Sequence, residues 1–124
     1  MTNNNTTCGF EPLSPLEAKR MLDSGKAILI DIRAPDEYSR EHIIGARLAP
    51  LDAIDARDFE REQADGKVAI FQCQSGRRTA LNRERLIALG FSSSFVIEGG
   101  LNAWRSAGLP IHLADPSAQQ APAS

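Results

Sequence analysis

The chain has 124 residues, with 14 Lys and Arg against 16 Asp and Glu and a net charge of -2; that balance excludes the broad positive field of a nucleic-acid-binding surface. A hydrophobic fraction of 42% suits one globular domain whose core needs no disulfide framework. Two cysteines, no leader pattern in MTNNNTTCGF and no apolar run long enough for a bilayer give the expectation of a soluble, cytoplasmic protein without a membrane segment.

In chain order, residues 1–12 are read as a mobile N-terminal segment, 13–111 as the single folded domain and 112–124 as a disordered tail of small and polar residues. Ser14-Pro15-Leu16-Glu17 opens a helix with a capping box and proline at its first position, and Gly25 stops it. Ala27 to Ile32 is an Ile-rich run with the look of a buried strand. Pro35 to Tyr38 starts a short helix, Gly45 interrupts the chain beyond it, and Ala46 to Leu48 suggests a brief strand. The charged stretch Asp52 to Gln63 is predicted helical, Val68 to Gln72 a second buried strand, Thr79 to Leu89 a helix ending at Gly90, and Ser94 to Glu98 a third strand. Gly99-Gly100 turns the chain into a last helix, Leu101 to Ala107, around Trp104. Strands alternating with helices predict an α/β domain, an open and mainly parallel sheet with helices on both faces. In such sheets ligands bind at the carboxyl ends of the strands.

Cys73 stands at one of those ends, in CQSGRRT (73–79). A cysteine there also serves as a small hydrophobe, and arginines on a helix are often solvated. Their combination with a glycine in one strand-to-helix turn points to chemistry. A thiol must ionise to attack, and backbone N–H groups and cations favour the ionised form. The N–H groups from Gln74 to Arg78 are placed to curl around an anion, with Gly76 supplying backbone angles that other residues avoid. Between Gln74 and Ala88 four arginines (77, 78, 83 and 85) face one acid, Glu84, so this corner is basic although the chain is not.

The loop Cys73-Gln74-Ser75-Gly76-Arg77-Arg78-Thr79 resembles the active-site loop of rhodanese domains in its C-x-x-G-x-R-[ST] form. Asp31-Ile32-Arg33, Glu37-Tyr38 and Glu41 to Ala46 resemble the family's D-x-R, E-[FY] and G-H-I-x-G-A blocks, with Glu41 in place of the usual glycine. Glu98 to Trp104 and Gly108-Leu109-Pro110 resemble its closing stretch, so the likeness runs from about Leu13 to Ile111. Within the family, the loop and Arg40-Glu41-His42-Ile43 are most similar to rhodanese domains attached to a membrane hairpin in some bacteria.

The resemblance implies a thiosulfate sulfurtransferase. Cys73 takes the outer sulfur of a small anionic donor as a persulfide and passes it to cyanide or a thiol, in two covalent steps. No metal and no separate cofactor is implied. Gln74, Ser75, Gly76, Arg77 and Arg78 are implied in substrate binding, with Arg77 on the donor; Arg78 is also expected to brace the loop against Asp31 or Glu37. Asp31, Arg33, Glu37 and Thr79 are implied as support of the site. His42 is read as structural, Trp104 as core and Cys8 as a spare thiol; Arg83 replaces the small residue common in that helix. Two other functions fit the same residues. One is a persulfide carrier or sensor with a protein acceptor. The other is a phosphatase or arsenate reductase, which the spacing opposes, because Arg78 follows Cys73 after four residues, one fewer than that cradle uses.

Overall fold

A computed structural model describes residues 10–114. Five strands form one parallel sheet in the order β1-β6-β5-β2-β4, where β1 is Phe10–Leu13, β2 Ala27–Asp31, β4 Arg47–Leu48, β5 Val68–Gln72 and β6 Ser94–Ile97. A separate antiparallel pair joins β3, Glu41–Ile43, to β7, Ile111–Leu113. The helices are α1 (Pro15–Asp23), α2 (Pro35–Arg40), α3 (Glu60–Ala64), α4 (Arg77–Leu81), α5 (Arg83–Ile87) and α6 (Gly100–Ser106).

Side-chain alternation along the central strands builds two cores, one on each face of the sheet. Ile30, Ala69, Phe71 and Cys73 point to the face covered by α5, where Phe59, Leu86 and Phe91 fill the space. Ala27, Leu29 and Ile70 point to the opposite face, under Ala18 of α1 and Leu101 and Trp104 of α6. Trp104 is core, as expected, and its indole N–H donates to the Pro110 carbonyl at 2.9 Å.

Start signals act where they stand in the sequence. Ser14 Oγ accepts the Glu17 N–H and Glu17 accepts the Ser14 N–H, closing the capping box. Several expected boundaries shift for physical reasons. Of the segment read as mobile, Phe10 to Pro12 form β1; Pro12 is tolerated because β1 is an edge strand. Of the expected tail, His112 and Leu113 lie in β7 and the Ala114 N–H donates to the Arg40 carbonyl at 2.9 Å; residues 1–9, Cys8 included, and 115–124 lie outside the described residues. Asp52 to Asp55 are not helical: Ala53 closes a turn on Pro50, and Asp55 caps a 3-10 turn over Ala56–Phe59 that leads into α3. The helix expected over 79–89 starts earlier, at Arg77, and divides at Asn82. There Asn82 leaves the helical backbone region, at φ −119° and ψ 23°, and its side-chain amide donates to the Arg78 carbonyl at 2.8 Å beside its own backbone N–H at 3.1 Å.

His42 stacks on Tyr38, with ring centroids 3.7 Å apart, and faces His112 across the β3–β7 pair. Its Nδ1 lies 2.8 Å from the Tyr38 carbonyl. This is a structural histidine.

Candidate functional site

Strand β5 delivers Cys73 to the carboxyl end of the sheet, and α4 starts at Arg77, so residues 73–76 make the connection. Cys73 is 1% exposed. Gly76 adopts φ +94°, a left-handed conformation that turns its N–H inward to donate to Cys73 Sγ at 3.1 Å. The N–H groups of Ser75, Arg77 and Arg78 make no backbone hydrogen bond among the described residues, which leaves them open to an anion at the loop. Thr79 is buried with its hydroxyl 3.8 Å from Sγ, and that hydroxyl donates to the Gly76 carbonyl at 2.8 Å. Thr79 therefore ties the two ends of the turn together beside the sulfur.

Two acid–arginine pairs hold the loop from one side. Asp31 and Arg33 are both buried at the end of β2, joined by Arg33 Nη2 to Asp31 Oδ2 at 2.9 Å and Nε to Oδ1 at 3.0 Å. Two more guanidinium N–H groups donate to the Glu41 carbonyl at 2.7 Å and to Gln74 Oε1 at 2.9 Å, so every nitrogen of the buried guanidinium has a partner. Arg78 makes a two-pronged contact with Glu37, both bonds at 2.8 Å. Of the two acids expected for Arg78, Glu37 is the partner and Asp31 belongs to Arg33. The hydrogen bonds from Arg78, outweighing partial burial, hold the Glu37 carboxyl at about 2 rather than 4.5, and the same contact raises Arg78 further above its ordinary value.

Behind the loop stands α6. The Leu101 N–H donates to the Cys73 carbonyl at 2.9 Å and the Asn102 N–H to the Gln74 carbonyl at 3.0 Å. Such close approach needs glycine: a Cβ on Gly100 would sit 2.4 Å from the Cys73 carbonyl oxygen. In sequence Gly99-Gly100 reads only as a turn, and this second role is not visible there. The Gln72 amide donates to the Cys73 carbonyl at 3.0 Å, so that oxygen is held twice.

The expected site residues thus divide. Cys73, Gly76 and Thr79 meet at the sulfur; Ser75 and Arg77 are exposed at the loop. The Gln74 side chain turns away, accepting from Arg33 and donating to Asn102 Oδ1 at 2.8 Å, so it is a strut and only its backbone faces the loop. Asn102 escapes sequence reasoning, because nothing in its context shows that its carbonyl would be the acceptor for a loop 28 residues away. Two grooves flank the site. One of about 280 Å³ has Ser75, Gly76 and Thr79 at one end and Phe10, Pro12 and Val96 along its wall. Arg83 lies beside it, its guanidinium 5.8 Å from the Phe10 ring centre. The other, about 320 Å³, lies on the Arg78 side.

The family model described as "Rhodanese-like domain" matches residues 14–107. An uncharacterized protein of Synechocystis sp. is 34% identical over 98 residues, 79% of this chain and 54% of that protein, so the chain spans about half of that relative's length. The thiosulfate sulfurtransferase GlpE of Pseudomonas entomophila is 33% identical over 97 residues, 78% of this chain and 86% of the relative. Among solved structures, a Rhodopseudomonas palustris protein described as of unknown function and a possible tyrosine phosphatase superposes with TM-score 0.68 at 27% identity, covering 83% of this chain and 85% of that one. The thiosulfate sulfurtransferase of Pseudomonas aeruginosa superposes with TM-score 0.73 at 23% identity, over 86% of this chain and 21% of its own; that likeness is one of fold.

Proposed function

The chain belongs to the rhodanese-like domain family, and on that premise we propose that it is a thiosulfate sulfurtransferase acting through a persulfide on Cys73. The observation that carries the reading is the placement of Cys73 Sγ under the Gly76 N–H at 3.1 Å, in a loop where the Ser75, Arg77 and Arg78 N–H groups have no backbone partner among the described residues.

The Cys73 thiolate attacks the outer sulfur of thiosulfate. A sulfur–sulfur bond forms to Cys73 and the bond inside thiosulfate breaks, its electron pair leaving with sulfite. The terminal persulfide anion that remains is held by the loop amides, which point at the charge as it develops. A second nucleophile, cyanide or a thiol, then takes the outer sulfur and restores the Cys73 thiolate. Exposed Arg77 draws the dianionic donor, while Arg78, locked on Glu37, keeps the loop in shape. Asp31 and Arg33 fix Gln74, and Thr79 fixes the turn beside the sulfur. The sulfur travels on Cys73 itself, so the reading uses neither metal nor organic cofactor. An unpaired thiol as the working group suits the reducing cytoplasm.

The near-complete burial of Cys73 favours a small acceptor over a protein one. The phosphatase reading asks Arg78 to close a cradle around phosphate, yet its guanidinium is already committed to Glu37.

Thiosulfate-to-cyanide transfer tests the proposal. The expected result is turnover with parallel double-reciprocal lines, lost in Cys73→Ser because an alcohol is not ionised at neutral pH. A generic aryl phosphate should not be hydrolysed. Thiosulfate turnover that survives Cys73→Ser, or Cys73-dependent phosphate release, would overturn it.

A further inference from the structure

Strand β5 is apolar up to its last residue, Gln72, and that residue is fully buried. Alternation turns Gln72 to the same face as Ile70, the face covered by α6. Its backbone is fixed to the end of β2, because its carbonyl accepts the Ile32 N–H at 3.0 Å. Its side-chain amide is used on one side only. Nε2 donates to the Cys73 carbonyl at 3.0 Å, and buried Oε1 has no protein partner among the described residues. A methionine would fill much the same volume and bury no polar atom, so this amide is a poor choice for stability alone. What it holds is the peptide that follows the nucleophile.

The peptide between Cys73 and Gln74 is trans, so its carbonyl and its N–H point in opposite directions. Two donors draw the oxygen towards α6, the Leu101 N–H at 2.9 Å and Gln72 Nε2. The Gln74 N–H therefore points away from α6, to the side where Cys73 packs with Phe71 and Leu86. The next peptide repeats the arrangement: the Gln74 carbonyl accepts the Asn102 N–H at 3.0 Å, and the Ser75 N–H points the other way. Neither of these two N–H groups has a backbone partner among the described residues, whereas the Gly76 N–H is already on Cys73 Sγ. Gln74 and Ser75 thus supply amides for a second sulfur. A single donor leaves a peptide free to tilt about that bond, and a second donor on the same oxygen fixes its plane. Of the two peptides only the first has a second donor, and that donor is Gln72.

We propose that Gln72 is a positioning residue for sulfur transfer: its buried amide sets the plane of the peptide between Cys73 and Gln74, so that the Gln74 N–H meets the outer sulfur of the Cys73 persulfide. The inference rests on the persulfide reading of Cys73 and adds to it a residue that lies outside the loop and does not touch the sulfur. An amide aimed in advance at the site of negative charge costs no reorganisation when the charge arrives. Gln72 acts through that aim, on the loaded state of the loop.

The test is Gln72→Met, which removes the donor and keeps the volume. The Cys73 carbonyl still has the Leu101 N–H, so no buried group loses its last partner, and the melting temperature should stay at or above that of wild type. Two other readouts should move. In the unloaded protein the order parameter of the Gln74 backbone amide should fall below the rigid range kept by β5. In mixtures of thiosulfate and sulfite at a fixed ratio, intact mass should show the proportion of persulfide to free Cys73 reduced about fivefold, the effect of one weakened hydrogen bond to an anion. A wild-type proportion in Gln72→Met, or an unchanged order parameter at Gln74, would overturn the proposal. So would a lowered melting temperature with order lost evenly over residues 73–79, the mark of a residue that only holds the fold.

A second measurement uses the wild-type protein. Loading Cys73 with thiosulfate or, as a second route, with inorganic polysulfide should shift the Gln74 and Ser75 amide resonances more than that of Leu101, which bonds to the far side of the same peptide. A Leu101 shift as large as theirs would overturn the aim of the Gln74 N–H. Failure of both donors to load Cys73 would remove the persulfide reading, and the order parameter at Gln74 would still decide what Gln72 holds.

Discussion

Replacing Arg78 with alanine should weaken the fold as well as the chemistry, and the loss should depend on pH. The Arg78–Glu37 contact consists of two bonds at 2.8 Å between α4 and α2. It holds the Glu37 carboxyl at about 2 instead of 4.5. Linkage would convert the whole shift to roughly 3 kcal/mol. The Arg78 side chain is 39% exposed, however, and solvent screening at such a surface leaves about 1 kcal/mol. For a domain of this size that lowers the melting temperature by about 4 °C. Because the folded carboxyl titrates below the unfolded one, the contribution is present in full above pH 4.5 and fades as pH falls towards 2. Thermal melts followed by circular dichroism at pH 7 and pH 3 should show wild type and Arg78→Ala well separated at the first and drawing together at the second. Arg77→Ala, whose side chain is exposed, should melt like wild type at both. Equal losses for the two variants, or a gap for Arg78→Ala that persists unchanged at low pH, would refute the assignment of Arg78 as the brace.

The same geometry sets three further outcomes. Arg77→Ala should raise the thiosulfate KM with little change in kcat, read from initial rates, since it removes a cation and leaves Cys73 and its amide contact in place. Gly100→Ala drives a methyl group against the Cys73 carbonyl at 2.4 Å; overpacking of that kind costs about 1 to 3 kcal/mol, and sulfur transfer should fall at least tenfold as the loop is pushed from α6. Cys8→Ser should keep near-normal turnover, because the reaction needs one protein thiol; loss of activity together with a Cys8–Cys73 disulfide in peptide maps would make this a two-cysteine enzyme.

The parts of the fold that are legible in the sequence are those fixed by local chemistry. Apolar runs mark β2, β5 and β6, Ser14 and Glu17 mark the start of α1, and Cys73 to Thr79 mark the loop. The parts that are not legible depend on distant partners. β1 contains a proline and exposes Glu11, so it is a strand only because β6 pairs with it. β7 is three residues long and depends on β3. The division of acids between two arginines is also tertiary. Asp31 lies two residues from Arg33 and is buried with it, which leaves Glu37 for Arg78. Gln74 has the position of a substrate contact because it follows the cysteine; its amide is instead fixed by Arg33 and Asn102. Gly100 has a turn's signature in sequence, and only the packing of α6 against the loop reveals that its missing side chain makes room for the Cys73 carbonyl.

The most direct test is the intact mass of the protein after incubation with thiosulfate. The account predicts a gain of one sulfur atom that peptide mapping places on Cys73, that cyanide removes, and that Cys73→Ser does not acquire. No gain in the wild-type protein, or an equal gain in Cys73→Ser, would contradict it.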